Sequence, residues 1–181
     1  MKTSVLFIQG GGEGAHQEDG VLAASLRKAL GAEYDVRYPR MPGESNPDMQ
    51  SWKGKIAREL EALDGEVILV GHSIGGAALL KYLAEEKVQK AIAGLFLLAA
   101  PSWDDENWNF DDLRLPRDLE AKVSRIPRIF LYHNRDDETV PFSHLALHAA
   151  RLPRATVREN DTGGHQFGND LAKVARDIKV R

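Results

Sequence analysis

The stretch Val67–Ile74 constrains this chain more than any other part of it. Val67-Ile68-Leu69-Val70 is a short apolar run rich in β-branched residues, the pattern of a strand buried on both faces. From Ile74 the pattern turns helical, with Leu79, Leu80 and Leu83 along the following segment. Between them lies Gly71-His72-Ser73-Ile74-Gly75, a G-x-S-x-G held between strand and helix. In that context the motif implies a sharp, strained turn that lifts a serine hydroxyl above the end of a parallel sheet. Glycine is required at 71 and 75 because a Cβ there meets the crossing of strand and helix. A helix N-terminus behind the serine stabilises negative charge developing in front of it. The serine is therefore the first candidate nucleophile.

Strand and helix patterns alternate along the rest of the chain. Strands are expected at Thr3–Gln9, Tyr34–Tyr38, Val67–Val70, Leu95–Ala99, Arg128–His133 and Ala155–Arg158. Helices are expected at Val21–Leu30, Trp52–Leu63, from Ile74 onward, at Phe142–Arg151 and at Leu171–Val180. Such alternation makes βαβ units, hence a three-layer αβα sandwich around a mostly parallel six-stranded sheet. Right-handed crossovers place the C-terminal ends of the strands on one edge, where ligands bind. With 181 residues the chain is expected to form a single domain over 1–181. Residues 102–125 stand apart as an acidic segment without a clean period, carrying Trp103, Trp108 and Phe110; it is a candidate small lid or insertion.

Composition narrows the chemistry. The chain has no cysteine, which excludes disulfides, thiolate nucleophiles and cysteine-ligated metals. Its formal charge of -3 shows no basic footprint for nucleic acid. The run Val5–Ile8 is too short for a signal-peptide core and Ala91–Ala100 too short to span a bilayer, so a cytoplasmic protein without membrane contact is expected.

A serine hydroxyl becomes nucleophilic when a base takes its proton and a third group holds that base in one tautomer. The loop after the fifth strand offers Asp136 and Asp137, and the loop after the sixth offers Gly163-Gly164-His165. The order Ser73, aspartate, His165 is that of α/β-hydrolases. Oxyanion donors are expected at the backbone N–H of Ile74, the residue after the serine, and in the glycine loop Gly10-Gly11-Gly12, with Gly11 ahead of Gly12. The same glycines lack the spacing of a dinucleotide cradle or a P-loop. His144 and His148, four apart on a helix, share a face, yet no third metal ligand accompanies them. No cofactor and no metal are expected.

These features together resemble the small capless α/β-hydrolases, and among them the YdeN-like family related to the retinoblastoma-binding serine hydrolases. The resemblance rests on Phe7-Ile8-Gln9-Gly10, the segment from Met41-Pro42 to Trp52, Gly71-His72-Ser73-Ile74-Gly75-Gly76, Asp136–Ser143 and Gly163-Gly164-His165. It implies a shortened α/β-hydrolase fold and a Ser–Asp–His hydrolase. In the family's D-x-x-V-P pattern the acid lies four residues before the proline, which implies Asp137 over Asp136. Gln9 departs from the family, standing where many α/β-hydrolases carry histidine before the glycine. The expectation is a carboxylesterase-like serine hydrolase acting on small acyl substrates. The alternative is a catalytically idle protein-interaction module with the same fold.

Overall fold

The computed structural model describes residues 2–105, 107–108 and 113–180. Its sheet has six strands in the order β2-β1-β3-β4-β5-β6. They are β1 (Thr3–Ile8), β2 (Tyr34–Arg37), β3 (Val67–His72), β4 (Ile92–Leu98), β5 (Ile129–Asn134) and β6 (Thr156–Asn160). Every neighbouring pair is parallel, so the expected "mostly parallel" sheet is parallel throughout. The order reverses direction at β1, and β3 and β4 lie at the centre, where both faces are covered.

The helices are α1 (Ala15–Leu30), α2 (Met49–Glu61), α3 (Ile74–Glu85), α4 (Leu119–Lys122), α5 (Ser143–Arg151) and α6 (Ala172–Lys179). Alternation along each strand sorts the core into two halves. Leu6, Ile8 and Leu69 point to one face, packed with Trp52 and Ile56 of α2, Leu79 and Leu80 of α3 and Leu145 of α5. Val5, Phe7, Ile68 and Val70 point to the other, packed with Leu22 and Leu26 of α1 and Val174 and Ile178 of α6. That is the three-layer sandwich, a shortened α/β-hydrolase fold. Among the described residues no helix is long and apolar enough to cross a membrane.

Two differences from the sequence expectation matter for the site. Helix α1 begins at Ala15, six residues before the apolar pattern at Val21 announces it. Its first turns are polar, and they carry the buried Asp19 to the C-terminal edge of the sheet. In the segment after β4, Trp103 packs edge-on against Trp108, and Trp108 in turn against the ring of His144. Phe110 lies outside the described residues. The His144/His148 pair is buried, and each ring is committed to local partners. His144 Nδ1 accepts the Ser102 amide (2.9 Å) and its Nε2 faces Asp105 (3.1 Å), while His148 Nε2 donates to the carbonyls of Ala100 and Pro101.

Candidate active site

Ser73 follows the last residue of β3 and precedes the first of α3, with φ 51° and ψ −127°. A non-glycine residue in the left-handed region stores strain, and here the surrounding backbone imposes it. A Cβ added at Gly75 would stand 2.2 Å from the Gln9 carbonyl oxygen, and one at Gly71 would stand 2.7 Å from the backbone of Gly76. The elbow thus presses α3 directly against the end of β1, and the two glycines are what permit it.

That approach brings the glycine loop after β1 to the serine. An added Cβ on Gly11 would lie 3.6 Å from Ile74 Cβ, so the two expected oxyanion donors are neighbours. Among the described residues neither the Gly11 nor the Ile74 amide donates to a protein acceptor. Ile74 opens α3 and has no carbonyl one turn back to bond. The Gly11 amide is aimed by Gln9. The fully buried Gln9 side chain uses all four of its hydrogen-bonding positions. Its Oε1 accepts from the Met41 amide and His16 Nδ1, and its Nε2 donates to Glu44 and to the Gly10 carbonyl. In a trans peptide, C=O and N–H point in opposite directions. Holding the Gly10 carbonyl on Gln9 therefore turns the Gly11 N–H the other way. The residue that departs from the family's histidine has a defined task in this chain.

His165 is carried on a loop with positive φ at Gly163 (133°) and Gly164 (58°). Its Nδ1 lies 2.9 and 3.1 Å from the two carboxylate oxygens of Asp137. A carboxylate accepts, so Nδ1 carries the proton and the neutral ring keeps Nε2 free to accept one. Asp137 also accepts the amides of Thr139 and Val140, each at 2.8 Å, and its Oδ2 lies 3.2 Å from His133 Nε2. Burial pushes its carboxyl up, but the hydrogen bonds from His133, His165 and Val140 outweigh that and hold it well below the usual carboxylate range. Asp136, exposed on the same turn, accepts the amides of Gly163 (3.1 Å) and Gly164 (2.8 Å). Glu138 accepts the amide of His165, and Asn134 donates to the Gly164 carbonyl. The loop after β5 thereby grips the His165 loop along its backbone.

Ser73 and His165 line one cleft of about 190 Å³, together with Gly10, Gly11, Glu138 and Thr139. Neither Trp103 nor Trp108 is among its walls. A larger hollow, about 1150 Å³, lies at the opposite edge of the sheet, among residues such as Glu66, Ile92 and Arg128, and carries neither Ser73 nor His165.

A family model described as serine hydrolase matches residues 18–168, a span that holds Ser73, Asp137 and His165. The chain belongs to the serine hydrolase family. This serine hydrolase is 26% identical over 152 residues to the YdeN hydrolase of Bacillus subtilis (strain 168), a match covering 77% of this chain and 75% of YdeN. The crystal structure of the B. subtilis ydeN gene product superposes with a TM-score of 0.74 at 22% identity, over 98% of this chain and 97% of that one. The serine hydrolase CarC, involved in carbazole degradation, superposes at 0.72 with 16% identity, over 99% and 92% of the two chains. The pyrethroid hydrolase PytH does so at 0.68 with 18% identity, over 98% and 96%. The fold is shared with all three, and the YdeN-like assignment holds.

Residues His72, Asp19 and His133 belong to the site or touch it, and sequence reasoning did not single them out. His72 and His133 carried a weak signal as polar endings to apolar strands. Asp19 carried none, because a polar helix start looks the same whether it is buried or solvated.

Proposed function

We propose that this serine hydrolase cleaves carboxylic esters of small substrates through Ser73, His165 and Asp137. One observation carries the proposal: a serine in strained left-handed geometry shares a cleft with a histidine whose far nitrogen is held by a buried carboxylate. In the proposed reaction Ser73 Oγ attacks the acyl carbon and His165 Nε2 takes its proton. The tetrahedral oxyanion accepts the Gly11 and Ile74 amides, each such donor contributing roughly 2.7–4 kcal/mol to barrier lowering. His165 then returns the proton to the departing alkoxide, leaving an acyl-Ser73. Water, deprotonated by the same ring, attacks the acyl carbon, and collapse of the second oxyanion frees the acid as His165 Nε2 gives that proton back to Ser73 Oγ.

The mechanism suits thioesters and amides as well as esters, but an alkoxide asks less of the acid step than an amide nitrogen, and the cleft is too small for a folded peptide. The cytoplasm is the expected compartment. The test pairs a fluorophosphonate probe with p-nitrophenyl acetate. Wild-type protein is expected to label and turn over, and Ser73→Ala to do neither while keeping its circular dichroism spectrum. Triad knockouts elsewhere cost on the order of a millionfold in kcat. Wild-type protein inert to both reagents would instead favour an interaction module with an idle site.

A further inference from the structure

The residue before the candidate nucleophile is a second buried histidine with its own carboxylate. His72 ends β3, and Asp19 comes from α1; their side chains are 1% and 2% exposed. His72 Nδ1 lies 2.8 Å from Asp19 Oδ2, and His72 Nε2 lies 3.0 Å from the backbone carbonyl oxygen of His165. A carbonyl oxygen only accepts, so Nε2 carries a hydrogen. Asp19 accepts two further donors, the Gly10 amide on Oδ2 (2.6 Å) and Gln166 Nε2 on Oδ1 (3.1 Å). The Gly10 and Gln166 donors favour the ionised Asp19 carboxyl, which can only accept, so Nδ1 carries a hydrogen too. His72 is thus an imidazolium sealed between two acceptors.

Its surroundings agree. Burial pushes the His72 ring down, but the Asp19 hydrogen bond and charge, the His165 carbonyl and the more distant Asp137 charge outweigh burial and raise it. For Asp19 burial pushes up, and His72, the Gly10 amide and Gln166 bring it below the usual range. The other rings against His72 are those of His165, 4.7 Å between centroids, and Phe167, 6.2 Å.

A buried ion pair of this kind is weak evidence for stability, since desolvation offsets most of its attraction. What distinguishes this one is where its bonds end. They reach Gly10 in the loop after β1, the turn at Ser73, and His165 and Gln166 in the loop after β6. Those are the three segments that must stand in register for an oxyanion site, a nucleophile and a base to work on one carbon. We propose that Asp19 and His72 are positioning residues, an ion pair that holds the Gly10–Gly11 loop and the His165 loop in register about Ser73. The proposal rests on the hydrolytic role given to that cleft, and neither residue exchanges a proton with substrate.

The two ends of the His72 ring can be cut separately. His72→Asn leaves a donor near the Nδ1 position, toward Asp19, and removes the link to His165. His72→Gln leaves a donor near the Nε2 position, toward His165, and removes the link to Asp19. Asp19→Asn keeps the shape and removes the charge. All three are expected to lose kcat on p-nitrophenyl acetate on the order of a hundredfold with KM nearly unchanged, because loops out of register still admit substrate. The rate of fluorophosphonate labelling should fall in parallel. Long-range proton–nitrogen NMR on histidine-labelled wild-type protein at pH 7 should show both His72 nitrogens protonated, a readout that needs no variant to fold. A singly protonated His72 overturns the proposal. So do folded variants with lower Tm but full kcat, the outcome of a merely structural pair. Failure of the hydrolytic role looks different: the wild-type protein itself would neither label nor turn over ester, whatever the state of His72.

Discussion

The carboxylates of Asp136 and Asp137 divide one neighbouring loop between them: Asp136 accepts the backbone amides of Gly163 and Gly164, and Asp137 accepts the ring of His165. Adjacent residues in a tight turn project in different directions, so two like groups acquire unlike tasks. Asp137→Asn is expected to lower kcat about ten-thousandfold, as an orienting amide favours the wrong imidazole tautomer. Asp136→Asn keeps an acceptor for one glycine amide and should cost no more than about tenfold. Steady-state kinetics on p-nitrophenyl acetate compares them, and the reverse order would move the orienting acid by one residue.

Gln9 supplies the second prediction. Gln9→Glu has nearly the same shape but loses the donor to the Gly10 carbonyl and faces Glu44, which Gln9 Nε2 bonds at 2.9 Å. The Gly10–Gly11 peptide is then free to rotate, and the Gly11 amide leaves the oxyanion. The expected loss in kcat is about a hundredfold with KM little changed, close to what removing one oxyanion donor costs. Unchanged kcat would show that the loop is held from elsewhere.

Substrate size follows from the cleft. A volume of about 190 Å³ accepts a short acyl chain and little more. Each methylene that finds a wall adds roughly 0.8 kcal/mol to transition-state binding. The specificity constant should rise from acetate to about butyrate or hexanoate and then level off or fall. Measuring kcat/KM over p-nitrophenyl esters of increasing chain length decides it, and a steady climb to long chains would mean a deep acyl tunnel.

Stability should depend on acid through His148, away from the cleft. Burial pushes this ring down to about 4, although its bonds to the Pro101 and Ala100 carbonyls act the other way. The native ring stays neutral while the unfolded chain takes up a proton near 6.5, so below that pH the unfolded state binds more protons and stability falls as pH falls toward 4. From pH 7 to pH 5 the loss attributable to this group is about 2 kcal/mol. His148→Gln retains a donor for the two carbonyls and cannot titrate. Urea denaturation at both pH values should show a drop smaller by that amount in the variant. Equal drops would place the acid sensitivity elsewhere. His72, raised rather than lowered, contributes stability that is present below its unfolded value and lost as pH rises through its folded one, so the difference between variant and wild type is the quantity to read.

By itself the sequence determined the architecture and the chemical vocabulary of the site. Strand β3, apolar from Val67 to Val70 and running into G-x-S-x-G, admits only a buried central strand ending in an elbow, because local sterics and hydrophobic period act over a few residues. Helix α1 was legible only from Val21, since its polar first turns have no apolar stripe to show. Ser73 and His165 were legible because glycines beside them mark turns. The choice between Asp136 and Asp137 rested on a family pattern, since their own residue types are identical. The tertiary structure decided the rest. Only the packed chain shows that Asp136 binds backbone, that Gln9 takes four partners, and that Asp19 and His72 meet across 53 positions. Hydrogen bonds between distant segments depend on where whole helices and strands come to lie, and no local pattern in the chain records that.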